Sequence, residues 1–254
     1  MKMDQKITIL DIPFNKLTFD EAVQAVLSHI HSPQHLQSKP FFIATPNPEM
    51  LLEARKNAEF RSILQNTGLN IPDGVGIIWA SKRLKSPLPQ RITGVDLMQK
   101  ICASVSKNTP VFLLGAAEGV AEKVKEKLTL KNPDLNIAET YAGSPAEKEN
   151  EKIVNLINQS QAKILFVAFG APNQELWIAK NLNKFKYLKI AMGVGGAFNF
   201  IAERRKRAPK WMQKLALEWL YRLIQEPKRI KRIFNATIKF PIVFLLNQRQ
   251  KKHR

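Results

Sequence analysis

Short apolar runs alternate with helical stripes along most of this chain. Residues 7–12, 41–44, 111–114, 164–169 and 188–192 are apolar and bounded by polar, Gly or Pro residues, the pattern of strands. Between them, Phe19, Ala22, Val23, Val26 and Leu27 share one helical face after the cap candidate Thr18. Val120, Val124 and Leu128 form a second such face, and Ile153, Leu156 and Ile157 a third. Gly115 and Gly170 fall just beyond strand ends, where helices would begin. This alternation predicts an α/β fold with a largely parallel sheet flanked by helices. Ligand-binding loops should then lie at the carboxyl ends of the strands.

The pattern changes near Ile201. No further strand signal follows, and Trp211, Leu215, Trp219 and Leu223 step by four along one helical stripe. Core packing is the first expectation for that stripe, and a membrane interface the second. Pro209 suits the first turn of this helix. After Pro227, residues Ile230, Ile233, Phe234 and Ile238 make another stripe, and the polar end, 247–254, should fray. The expected organisation is a catalytic α/β domain over 1–200 and a basic helical C-terminal appendage over 201–254.

Charge sharpens that division. The chain of 254 residues carries a net charge of +19, from 40 Lys+Arg and 21 Asp+Glu. Residues 201–254 hold 16 basic and 3 acidic side chains, a net of +13. A near-balanced body with a basic tail suggests contact with a polyanion: nucleic acid, anionic lipid or a diphosphate. A merely solvated tail accounts equally well for the composition alone. The single cysteine, Cys102, forms no internal disulfide, and no Cys/His spacing suits a structural zinc. No signal-peptide pattern or run of roughly 20 apolar residues is present, so a cytoplasmic location is expected.

Five constellations could carry chemistry. Thr45-Pro46-Asn47-Pro48 follows a strand, where Asn47 could meet a ligand or simply cap the next helix. Asp73-Gly74-Val75-Gly76 puts a carboxylate before a glycine turn and an apolar helix. Such a turn accepts phosphate, and Asp73 could serve as a general base or as an N-cap. Arg91 could bind a diphosphate or lie on the surface. In Gly170-Ala171-Pro172-Asn173-Gln174-Glu175, Gln174 can donate and accept at once, which suits sugar hydroxyls or a uracil edge. Gly193, Gly195 and Gly196 allow close approach of a ligand to backbone. Finally, Arg222, Arg229 and Arg232 could share a helical face in the appendage, beyond the cluster Arg204, Arg205, Lys206 and Arg207. The chain has no D-x-D triplet, and its four histidines lie away from the candidate loops, so no metal site is expected.

Together these segments resemble the WecG/TagA/CpsF glycosyltransferase family. The resemblance rests on TPNPEM, IPDGVGIIWA, RITGVDL, FGAPNQELWI and the long run GVGGAFNFIAERRKRAPKWMQKLALEWLYRLIQEPKRIKR, in family order over residues 40–232. It implies a Rossmann-like core and an inverting, metal-independent transfer of N-acetylmannosamine or its uronic acid. The implied donor is a UDP-sugar. The implied acceptor is undecaprenyl-diphosphate-linked N-acetylglucosamine, at the inner face of the cell membrane. Products of such enzymes feed teichoic acid, enterobacterial common antigen or capsule. The resemblance assigns Asp73 as base, Thr45, Asn47, Arg91 and Gln174 as pocket residues, and Arg222, Arg229 and Arg232 as diphosphate ligands. The basic residue usual in the GAPKQE-like motif is Asn173 here. No cofactor and no nucleic-acid partner is expected, while self-association through the Trp/Leu stripe is a further option. The alternatives are a basic nucleic-acid-binding protein with a Rossmann-like body, which leaves the ligand-like loops unexplained, and a dinucleotide-dependent oxidoreductase, whose fingerprint is incomplete here.

Overall fold

The computed structural model describes residues 2–32, 39–205, 208–209, 211–212, 218–227 and 230–252. It opens on an antiparallel hairpin, β1 (Lys6–Ile9) and β2 (Ile12–Asn15). The expected single strand over 7–12 is therefore two, because Leu10 and Asp11 take φ of 46° and 66° and reverse the chain. Six strands then form one parallel sheet: β3 (Phe41–Ala44), β4 (Leu69–Asn70), β5 (Val111–Gly115), β6 (Ile137–Tyr141), β7 (Ile164–Ala168) and β8 (Ile190–Gly193). Their order is β4-β3-β8-β7-β5-β6. The α/β, Rossmann-like expectation is met. β4 is too short and β6 too polar at this edge to have shown a strand pattern.

Alternate residues of each central strand feed opposite faces. Ile43, Val111, Leu113, Ile164, Phe166, Ile190 and Met192 pack into one cluster. Helices α1 (Phe19–His31), α5 (Gly94–Ser104), α6 (Val120–Lys131) and α9 (Ala197–Ile201) cover that face. Phe42, Phe112, Leu114, Leu165, Val167 and Ala191 point the other way. There they meet α7 (Glu147–Gln159) and α8 (Asn173–Asn181). Thr18 caps α1 in a reciprocal box with Glu21, as its position suggested.

A third cluster lies beside the β4 edge. It joins the hairpin to α2 (Pro48–Ala54), α3 (Ala58–Gln65) and α4 (Val75–Arg83). The last helix, α12 (Phe240–Lys252), enters the same cluster by burying Phe240 and Phe244 completely. Before it run α10 (Glu218–Gln225), α11 (Ile230–Phe234) and a π-helical turn, Asn235–Lys239. The wide turn precedes Pro241, whose missing N–H and ring are awkward for a regular helix. Phe240, Phe244 and the helices under them make the C-terminal segment part of the core rather than a free tail.

The Trp/Leu stripe differs from its core-packing expectation, since Trp211 is 59% exposed and Trp219 40%. Leu215 lies outside the described residues. Ile230, Phe234, Ile238, Ile242 and Leu246 recur every four residues on an exposed stripe, opposite the buried phenylalanines. Among the described residues, no helix is long and apolar enough to cross a membrane.

Candidate active site

The loops leaving β3, β4, β7 and β8 converge on one cleft of about 360 Å³ at the carboxyl ends of those strands. This is the crevice where open α/β sheets bind ligands. Thr45, Asn47, Asp73, Arg91, Gln174, Gly195, Gly196 and Arg232 all line it. The roof comes from the C-terminal segment, through Arg205, Trp219, Arg232, Ile233 and Thr237.

Each wall has a local cause. The Asn47 side chain accepts the backbone N–H groups of Glu49 and Met50, at 3.0 and 3.1 Å. Asn47 is thus the N-cap of α2 and a cleft residue at once, so the two readings of its position are compatible. Asp73 is not a cap. Gly74 holds the N-cap position of α4 at φ 122°, a conformation that side chains resist. The Asp73 side chain is half-buried and lines the cleft. Its backbone N–H donates to the Pro46 carbonyl at 3.2 Å, and Ile92 N–H donates to the Pro72 carbonyl at 3.0 Å. These two bonds tie the Asp73 loop to the Thr45–Asn47 loop on one side and to the Arg91 segment on the other.

Gln174 is almost fully buried and works mostly on its own protein. Its side-chain Oε1 accepts Gly170 N–H at 3.1 Å and Gly195 N–H at 2.9 Å. Its Nε2 donates to Glu175 Oε1 at 2.7 Å. The two glycine loops are thereby pinned to each other. Gly193 does not line the cleft. A Cβ there would lie 2.6 Å from Gln174 Nε2 and 2.8 Å from Glu175 Oε1, so this glycine admits the chain's own side chains rather than a ligand. Asn173, the position for which the resemblance implies a basic residue, is exposed at the start of α8 and does not line the cleft.

Positive charge faces the cavity from several elements. Arg91, Arg205 and Arg232 line it, against Glu49 and Asp73. Arg232 Nε donates to both Glu49 carboxylate oxygens, at 3.1 and 3.0 Å, fastening the roof to α2. Arg205 pairs with Glu226 at 3.1 Å within the roof. Arg229 lies outside the described residues, as do Lys206 and Arg207; Arg222 falls within α10, and its side chain is outside them too. The turn from Gly115 to Gly119 stays out of the cleft, and Arg204 reaches over to the Glu118 carbonyl at 3.3 Å.

The long-range arrangement of motifs in one cleft agrees with the sequence comparisons. The profile of the Glycosyl transferase WecG/TagA/CpsF family matches residues 7–254. The chain belongs to the WecG/TagA/CpsF glycosyltransferase family. Among its relatives is the N-acetylglucosaminyldiphosphoundecaprenol N-acetyl-beta-D-mannosaminyltransferase of Bacillus spizizenii, 34% identical over 225 residues, 88% of this chain and 86% of the relative. The enzyme of the same name from Staphylococcus aureus (strain MRSA252) is 33% identical over 235 residues, 92% of this chain and 90% of the relative. The WecG/TagA/CpsF chain described here is accordingly a hexosyltransferase.

Sequence reasoning passed over Glu175 and Glu49, although both sit inside recognised motifs. Nothing in a one-dimensional pattern marks a glutamate as buried. Burial pushes the Glu175 carboxyl up from 4.5 to about 7, with the Gln174 bond opposing the rise. Between those values the folded protein keeps a proton that the unfolded chain has lost. Stability should therefore fall as pH rises from about 5 to 8, by on the order of 3 kcal/mol from this group. Urea unfolding of wild type and Glu175→Gln at both pH values checks this. The glutamine variant should lose markedly less stability over the interval, and an identical loss would remove Glu175 as the cause.

Proposed function

We propose that this glycosyltransferase moves N-acetylmannosamine, or its uronic acid, from a UDP-sugar to undecaprenyl-diphosphate-linked N-acetylglucosamine, with inversion and without a metal. The observation that carries the reading is the single cleft in which Asp73, Arg91 and the glycine loops meet under an arginine-bearing roof. The relatives' names supply the acceptor and the sugar type. In this scheme Asp73 takes the proton of the acceptor hydroxyl. The hydroxyl oxygen attacks C1 of the donor sugar, and UDP departs from the opposite face with the bonding electrons. Arg91 and the roof arginines answer the negative charge that grows on the leaving diphosphate. Thr45 and Asn47 border the same space and would orient the sugars. Metal independence is inferred from the missing D-x-D triplet and from the number of arginines available for the diphosphate.

The assay is direct. Purified protein is given the lipid-linked acceptor with UDP-N-acetylmannosamine or its uronic acid, with UDP release and lipid product followed together. Product with one donor, undiminished by EDTA, is the expected result. No product from either donor would defeat the substrate reading, and loss of product in EDTA would defeat the metal-free one.

A membrane-surface location follows from the acceptor. The exposed stripe Ile230, Phe234, Ile238, Ile242 and Leu246, with Lys231, Lys239 and Arg249 nearby in sequence, suits an anionic lipid surface. Sedimentation with phosphatidylglycerol vesicles should carry the protein down at low salt. Ile242→Glu combined with Leu246→Glu should weaken that binding by about tenfold or more. Equal binding by the variant would clear the stripe of this role. A shift from oligomer to monomer on the same substitutions would instead make the stripe a contact between copies.

A further inference from the structure

We propose that Glu175 is a positioning residue for the transfer: from beneath the site it fixes the orientation of the Gln174 amide, and through it the two glycine loops that wall the cleft. This inference rests on the proposed reaction for its kinetic part only.

The Gln174 amide could sit either way round. Its two ends differ little in shape, so hydrogen bonds decide which end faces which way. Gln174 must present oxygen to the N–H groups of Gly170 and Gly195, since both are donors. A flipped amide would set its own N–H₂ against them. Ionised, as at pH 8, the Glu175 carboxylate only accepts, so its Oε1 at 2.7 Å from Gln174 Nε2 rewards only the correct orientation. The backbone closes the same loop, because Gln174 N–H donates to the Gly170 carbonyl at 3.0 Å. Gly170 and Gly195 both line the cleft, so the clamp sits in its wall.

A merely space-filling role explains these facts poorly. Glu175 is fully buried, and its Oε2 has no hydrogen-bond partner among the described residues. Burying a carboxyl with one oxygen unpaired opposes folding. An apolar side chain of similar size would serve the core better. Gly193 completes the device, since any Cβ at that position would displace both members of the pair. Strand β8 thus gives up a side chain where the clamp needs room.

The test separates positioning from packing. Glu175→Leu keeps the volume and removes the acceptor, and Glu175→Gln keeps an acceptor oxygen. Three readouts are taken on the full chain: thermal melting, the ¹⁵N–¹H resonances and exchange rates of Gly170 and Gly195, and kcat and KM for the donor. Glu175→Leu should melt no lower than wild type at pH 8. It should nevertheless exchange the Gly170 and Gly195 amides faster and lose about 10- to 100-fold in kcat, the scale of loss that a small misplacement brings. Glu175→Gln should restore kcat to within about threefold of wild type. On a Gln174→Ala background, Glu175→Leu should cost nothing further, because its effect passes through that amide.

Unmoved glycine amides in Glu175→Leu would overturn the clamp. Moved amides with unchanged kcat would overturn its part in turnover. Full additivity with Gln174→Ala would show that Glu175 acts by another route. If wild type itself transfers neither sugar, the reaction reading fails, and the amide measurement still decides the clamp.

Discussion

Asp73→Asn is expected to lower kcat by about 10²- to 10⁴-fold, the contribution usual for a positioned general base, while donor affinity changes little. Asparagine keeps the size of the side chain and the backbone N–H bond to the Pro46 carbonyl. It cannot take the acceptor proton. The surrounding construction supports this use of the residue. Gly74, not Asp73, occupies the helix-capping position, at φ 122°. The loop is fixed to the Thr45–Asn47 turn and to the Arg91 segment, and all of them line one cavity. The measurement is steady-state kinetics on the lipid acceptor alongside calorimetric titration of UDP. Parallel losses in turnover and UDP affinity would show that the carboxylate shapes the donor site and takes no proton.

Phe240→Ala should destabilise the fold by about 3–5 kcal/mol, as large core truncations do. Phe240 and Phe244 are both fully buried and stack with ring centroids 6.3 Å apart. Phe244 also meets Trp79 of α4 edge to face at 5.5 Å. Helix α4 starts directly after the Asp73 turn, and Gly76 in its first turn would bring a Cβ within 3.3 Å of the Phe240 ring. The roof is thus anchored to the same element that presents the base. Deleting everything after Ile201 would strip these rings from the core, so such a truncation tests folding as much as catalysis. Urea unfolding of Phe240→Ala and Phe244→Ala, with kcat measured in parallel, separates the two. A change below about 1 kcal/mol in both variants would mean that the last helix is not held as the burial of its phenylalanines implies.

The residues that were easiest to place from sequence are those whose roles are local. Asn47 before Pro48 predicts a helix start, and its side chain accepts from the next two N–H groups of α2. Thr18 caps α1 as its position suggests, and the structure adds Glu21 as its partner in a capping box. Strands β5 and β7 were readable because both faces are covered, which makes them continuous apolar runs. β6, at the sheet edge, carries Glu139 and Thr140 and offers no such run. Trp211 and Phe240 show the limit in the C-terminal segment. Both are large and apolar, yet one is exposed and the other has no exposure at all.

By itself, then, the sequence determined the β–α alternation, the helix starts, the charge asymmetry and the motifs that place the chain among glycosyltransferases. Those are properties of neighbouring residues, set by backbone conformation and periodic burial. The tertiary structure alone decided which loops share a cleft, that Gln174 spends its oxygen on two backbone N–H groups, and that Glu175 lies buried beneath them. It also decided that Arg232 reaches back across 183 residues to Glu49. Such pairings depend on where distant segments meet, and hydrogen-bond partners and solvent exclusion exist only after they have met.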